Sequence, residues 1–288
     1  MSIRKIIAPL TGVDRDRIVL ASAFAAAKPF AAHVVALFVR PDPAEAMPFF
    51  GEGVSAVIVQ EIVNVAKDAA DKAAEMAKAT LRFCADVEGV TIVERVESGA
   101  HTTASFRDVQ GNFSDCIAKA ARLADLVVFG PLSDVDKPGL TEAFEETLIG
   151  TGRPVLLSAQ IPSTGFGEKV AIAWDGSVSS AHAVSAALPY LSQAKSVDIL
   201  SVRTSTTDKN SLANVCEYLA LHGISCTEHP IEAGAKPVGE VLLETAVSGG
   251  AGLFVLGGYG HSRLRQFFAG GVTRHVVSHA KIPLFLVH

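Results

Sequence analysis

Short apolar runs alternate with longer amphipathic stretches along the whole chain. Residues 3–10 read as a strand, and 16–30 as an alanine-rich helix entered through Asp14 and stopped near Pro29. Residues 33–39 are apolar without a break, as a strand covered on both faces must be. A loop rich in proline and glycine at 41–53 leads into a long helical pattern at 54–86. Strand 91–96, helix 113–123, strand 126–129, helix 140–149 and strand 155–158 follow. Strands that alternate with helices predict a parallel sheet with helices on both faces.

The pattern then begins again. Residues 161–167 have linker chemistry, and Lys169–Gly176 (KVAIAWDG) restates Lys5–Gly12 (KIIAPLTG) at an offset of 164 residues. Leu126–Gly130 corresponds in the same way to Leu253–Gly257, and the closing strand Arg153–Leu157 to Ile282–Leu286. Between these landmarks the second half runs helix 179–191, strand 196–202, helix 212–222, strand 224–231 and helix 238–248. A repeat this long is a tandem duplication of one α/β unit, with expected bounds 1–160 and 167–288, and not a solenoid.

Composition narrows the classes. The chain has 288 residues, 49% of them apolar and 19% charged, which is enough to build two sizeable cores. No apolar run approaches the ~18 residues of a membrane span, and the N-terminus lacks the pattern of a signal peptide. A net charge of −5 argues against bulk nucleic-acid binding. Cys84, Cys116, Cys216 and Cys226 form no C-x-x-C pair and no metal spacing, so they read as scattered thiols in a reducing compartment.

The richest stretch is Leu253–Thr273, LFVLGGYGHSRLRQFFAGGVT. A buried strand empties into Gly257, Gly258 and Gly260, and Gly270 and Gly271 precede a helical pattern from Val272. Strand, glycine loop and helix start present backbone N–H groups and a helix dipole to phosphate. The spacing alone is weak evidence, because it is neither G-x-G-x-x-G nor a P-loop. Tyr259, His261, Ser262, Arg263 and Arg265 share the loop, where a guanidinium could neutralise phosphate or simply be solvated. His275 and His279 stand one turn apart, without a third metal ligand nearby. His101, Thr102, Thr103 and Ser105 read as a loop at the sheet edge, with no nucleophile elbow. The halves differ here: Thr11 replaces Asp175, and Glu142, Glu145 and Glu146 crowd the matching segment of the first half.

These residues carry a resemblance. The turn Ala173-Trp174-Asp175-Gly176-Ser177, the pattern Gly257-x-x-Gly260-x₉-Gly270 and the last strand at Ile282-Pro283-Leu284 make the second half similar to a universal stress protein domain. The first half has the layout without the motif, so the whole resembles a tandem universal stress protein. The resemblance implies two Rossmann-like, adenine nucleotide α-hydrolase-like domains, each a five-stranded parallel sheet with helices on both faces. It also implies a cytoplasmic stress-response role, pairing through the last strands (within the chain or as a homodimer), and ATP bound with Mg²⁺ by the second half. On that reading Ala173, Trp174 and Asp175 meet the adenosine and Val202 floors the adenine pocket. Gly257, Tyr259, Gly260, Arg263, Gly270, Gly271, Val272 and Thr273 hold ribose and phosphates. Asp175 can equally be a turn or N-cap residue, and Val202 an ordinary core valine. One departure stands out: the family has Ser or Thr where this chain has Gly271, and Thr273 is the nearest substitute hydroxyl. No general base is placed, so slow hydrolysis or self-phosphorylation is the most catalysis expected. The competing readings are a nucleotide-free interaction module acting through protein partners, and an adenylyl-transferring or pyrophosphatase relative.

Overall fold

The computed structural model describes residues 2–42, 56–96, 99–132, 139–160, 165–203, 211–232, 234–258 and 271–288. The first half runs β1 (Lys5–Leu10), α1 (Asp16–Ala27), β2 (His33–Arg40), α2 (Ala56–Glu88), β3 (Thr91–Ile92), β4 (Thr103–Gln110), α3 (Phe113–Ala121), β5 (Leu126–Phe129), α4 (Leu140–Glu145) and β6 (Val155–Leu157). The second half runs β7 (Lys169–Ala173), α5 (Val178–Leu191), β8 (Ser196–Val202), α6 (Ser211–Leu221), β9 (Cys226–Ile231), α7 (Val238–Ser248), β10 (Leu253–Gly257), α8 (Gly271–His279) and β11 (Leu284–Val287).

All eleven strands form one sheet, ordered β3-β4-β2-β1-β5-β6-β11-β10-β7-β8-β9. The fold class is α/β as expected, with α1, α2, α5 and α6 packed on one face and α3, α4, α7 and α8 on the other. Within each half every pairing is parallel, and the halves meet where β6 runs antiparallel to β11, with Phe285 opposite Leu156. Pairing through the last strands is therefore made inside the chain.

The second half has the expected five strands. The first has six, because residues 103–110 form a strand beside β2 where the sequence reading placed a loop. The segment TASFRDVQ has no continuous apolar run; it sits near the sheet edge and most of its side chains are partly or fully exposed. Its alternation is that of a half-covered strand, which polar positions disguise. The expected strand at 91–96 shrinks to two paired residues at the very edge. Thr103 and Ser105 belong to β4, and both hydroxyls meet the ring of buried His33, at 2.7 and 2.9 Å. Burial, then Lys5 and Arg107, push the His33 ring below its ordinary pKa. It is a satisfied core histidine at the N-terminal ends of the strands.

The seam between the halves is locked by Tyr190 of α5. Its hydroxyl donates to the Ala26 carbonyl of α1 at 3.1 Å, across 164 residues, which is the repeat offset itself. Equivalent helices thus touch at the axis relating the two halves. Phe30, Phe166 and Phe285 set their rings edge-on to Tyr190, with centroids 5.1, 5.8 and 5.8 Å away. Such pairs add about 0.5–1.5 kcal/mol each beyond area burial. Removing the ring empties the centre of this cluster, so Tyr190→Ala is expected to cost about 3–5 kcal/mol. Tyr190→Phe, which loses only the hydrogen bond, should cost about 1 kcal/mol. Urea unfolding of both variants checks this, and equal costs would move the weight from ring packing to the hydroxyl.

Candidate functional site

In the second half the chain builds β7, then β8 and β9 outward on one side, and returns to add β10 and β11 on the other. The order reverses between β7 and β10. At such a switch point the connections leave in opposite directions and open a crevice beyond the carboxyl ends of the strands. Ala173 ends β7 and Gly257 ends β10 on the two sides of it, and Val202 ends β8 next door. The Trp174 amide donates to the Leu200 carbonyl at 2.8 Å, carrying the β7–β8 ladder to the lip.

Asp175 and Gly176 are exposed at that lip. Gly176 has φ +76°, a conformation glycine adopts without strain. The Asp175 carboxylate accepts from the Ser177 amide at 2.9 Å, and Ser177 in turn caps α5 by accepting from the Ser180 amide at 3.1 Å. Partial burial pushes the Asp175 carboxyl up, but hydrogen bonds centred on Ser177 and Ser180 outweigh it and hold the pKa below the usual value. It is ionised at neutral pH and its free side faces out. The turn role and a ligand role are compatible here.

Other candidates divide. Val202 is buried among Leu200, Ile231 and Leu242, so its side chain is core and only its backbone reaches the edge. Gly257 is read from sequence as part of a phosphate cradle; a Cβ there would lie 2.5 Å from the Ser179 backbone, so its bareness lets α5 pack against the end of β10. Gly258 donates to Val287 at 2.6 Å and accepts from the His288 ring at 3.1 Å, which pins the start of the loop to the end of β11. Tyr259, Gly260, Arg263 and Gly270, with His261, Ser262 and Arg265, lie outside the described residues.

At the far end of the loop, α8 begins with Gly271 exposed and open space where its Cβ would be. Val272 is exposed, whereas Thr273 is buried on the side of α8 that carries Val276. A hydroxyl at 271 would meet none of the described residues, and the one at 273 is turned into the protein. α7 approaches closely, with a Cβ at Gly239 falling 2.8 Å from the Val272 carbonyl, so the N-termini of α7 and α8 lie together at the lip. His275 and His279 stack with centroids 4.3 Å apart, the His279 ring bonded to the His275 carbonyl at 2.8 Å. Among the described residues no group of three or more His, Cys, Asp or Glu is placed to hold a metal.

The same edge of the first half is closed. Asp16, 164 residues before Ser180, is 2% exposed and takes the amides of Thr11 at 3.0 Å and Gly12 at 2.7 Å, and the Thr11 hydroxyl at 3.1 Å. A Cβ on Gly12 would meet the Ala73 carbonyl of α2 at 2.4 Å. The turn amides are thus satisfied from within, and a helix lies over them. On α4, which stands where α8 does, burial and then Glu142 push the Glu145 carboxyl up to about 8. Surroundings that disfavour a carboxylate disfavour a phosphate as well.

Comparisons with known proteins bear on the fold. A family model described as "Universal stress protein family" matches residues 208–288. The match lies within the second half. The tandem arrangement fits, because a universal stress protein structure from Archaeoglobus fulgidus DSM 4304 aligns over 99% of this chain and 96% of its own, with TM-score 0.69 and 16% identity. A functionally unknown protein from Pseudomonas aeruginosa PAO1 covers 99% of this chain and 92% of its own, with TM-score 0.58 and 13% identity. Half of the chain, 56%, aligns with all of a universal stress protein solved in complex with cAMP, at TM-score 0.34 and 17% identity. The sequence has no significant match among curated proteins.

Two features escaped the sequence reading. The carboxylate of Asp16 acts as the internal substitute for Asp175, a role visible only once the repeats are aligned and an acid is found where Ser180 stands. Cys216 on α6 and Cys226 on β9, read as scattered thiols, lie side by side with Cα atoms 6.1 Å apart. Their ten-residue separation spans a helix end and a turn, so proximity comes from α6 folding back on β9. Gly257→Ala is expected to destabilise the protein by about 1–3 kcal/mol through overpacking against α5. Gly271→Ala should stay within about 0.5 kcal/mol of the parent. Urea midpoints of the two variants test this directly, and a neutral Gly257→Ala would return that glycine to the loop.

Proposed function

We propose that the chain is a cytoplasmic stress-response regulator that binds ATP, with Mg²⁺, at the switch point of its second half. The observation that carries this reading is the contrast between the two repeats. The turn after β1 is filled by Asp16 and covered by α2, while the turn after β7 leaves Asp175 and Gly176 exposed. Ala173, Trp174 and the ionised Asp175 meet the adenosine, with the backbone of Val202 beside the base. Gly257 frames the pocket through its packing on α5. Tyr259, Gly260, Arg263 and Gly270 supply the loop, and Gly271, Val272 and Thr273 the helix start. Backbone amides at that helix start and the guanidinium of Arg263 are the groups suited to phosphate. Bound ATP would bring its own Mg²⁺ on the phosphate oxygens, since magnesium at nucleotide sites is held largely by phosphates and water.

Among the described residues at the lip none is placed as a general base toward a phosphate, and the role we propose is binding and signalling, with hydrolysis slow at most. The alternative, an interaction module without nucleotide, draws on the close packing of Gly257, which gives that glycine a structural reason to be there.

Calorimetric titration of nucleotide-free protein with ATP and Mg²⁺ separates the two. Saturable binding is expected, weakened about 10-fold or more by Asp175→Ala through loss of a charged hydrogen-bond acceptor. Gly271→Ser, which places a hydroxyl in open space at the helix start, should tighten it about 5-fold, equivalent to one added hydrogen bond. No heat up to millimolar ATP, in parent and Gly271→Ser alike, would favour the interaction module.

A further inference from the structure

The second half ends on its outer side in a thinly anchored unit. β9 is the edge strand, and most of its side chains are exposed or only partly covered. α6 above it buries Val215 and Leu219 but leaves Leu221 82% exposed and Tyr218 39% exposed. Where α6 meets β9, Cys216 and Cys226 lie side by side, both only partly buried against the same apolar cluster. Their 6.1 Å Cα separation lies in the usual range for bridged cysteines. Cys84 is buried in α2 and Cys116 lies on α3, neither of them in a disulfide.

We infer that Cys216 and Cys226 form a reversible dithiol–disulfide pair that clamps α6 to β9 and so controls the order of the sheet edge beside Val202. The connection to that edge is geometric. β9 pairs with β8 through Val202 opposite Ile231, and the Arg203 amide continues the ladder by donating to Ile231 at 2.9 Å. In chain order α6 follows β8, which ends at Val202. Both the strand beside Val202 and the helix that follows it are thus held by the same bond. A tie that closes a short loop on a marginal unit acts chiefly by limiting its local opening.

The chemistry is thiol–disulfide exchange with a small-molecule disulfide such as oxidised glutathione. The thiolate of one cysteine attacks a sulfur of the small disulfide, expelling one thiolate and forming a mixed disulfide. The second cysteine thiolate then attacks the protein sulfur of that mixed disulfide and expels the other small thiol. Two electrons pass from the cysteine pair to the small disulfide, and two small thiols are released. The cytoplasm keeps thiols reduced, so a pair positioned to close there is a responsive element and not a permanent staple. The effect on nucleotide rests on the proposed ATP site, whereas the clamp itself does not.

The test equilibrates the full chain in glutathione buffers of increasing oxidation. Differential alkylation with peptide mapping reads the Cys216–Cys226 bond, and amide hydrogen exchange reads α6 and β9. The expected result is one two-electron transition, with amides of α6 and β9 exchanging about 10-fold faster in the reduced form. Cys216→Ser should abolish that difference while Cys84→Ser and Cys116→Ser keep it. Affinity for ATP should fall several-fold on reduction. Thiols that remain fully alkylatable in the most oxidising buffer, or exchange rates equal in both forms, would overturn the clamp. Equal ATP affinity in both forms would overturn its coupling to the site. Absence of ATP binding in both forms would sink the nucleotide reading, with the exchange data still deciding the clamp.

Discussion

Three residues of β6 laid antiparallel against β11 make two copies of one α/β unit into a single molecule. Leu157, Leu156 and Val155 face Leu284, Phe285 and Leu286, and each pair carries the sheet from one half to the other. Because the strands run in opposite directions, the halves are related by a two-fold axis, and whatever lies near it meets its own equivalent. Tyr190 against Ala26 is one such contact. On the opposite face Leu148, just after α4, approaches Gly258, so the first half backs the start of the second half's glycine loop. The apolar clusters on both faces run across the seam without interruption. A substitution at the seam should therefore be felt by both halves.

Given that scaffold, duplication freed one half from the constraint on the other. The divergence is a relocation of charge. In the second half the acid sits in the turn, at Asp175, and is exposed; in the first it sits five residues on from the matching position, at Asp16, and points back into the turn. An inward carboxylate satisfies the amides that an anion would otherwise meet, which stabilises the turn and removes the site in one step. The packing of α2 over Gly12 then follows without loss, because no ligand has to enter there.

Much of this was legible in the sequence where the signal is local. Uninterrupted apolar runs gave β2, β5 and β10, and the paired landmarks Lys5–Gly12 and Lys169–Gly176 gave the duplication. β4 was missed because half-covered edge strands mix polar and apolar residues, as Phe106 beside Arg107 and Asp108 does. The roles of single residues were harder. Val202 and Thr273 are turned into the core, Gly257 is explained by a helix two elements away, and Cys216 meets Cys226 through a fold-back, none of which spacing can encode. Asp175 stands where the sequence put it, because a strand end and an Asp-Gly turn fix its place locally.

Two halves of the same fold differ at one edge, which is open in the second and filled from within in the first. Native mass spectrometry of the full chain across a range of ATP and Mg²⁺ concentrations counts nucleotides directly. One nucleotide per chain at saturation, reached at about 10-fold higher ATP in Asp175→Ala and at unchanged ATP in Asp16→Asn, is the predicted result. Two nucleotides per chain, or a single one held as tightly without the Asp175 carboxylate, would contradict it.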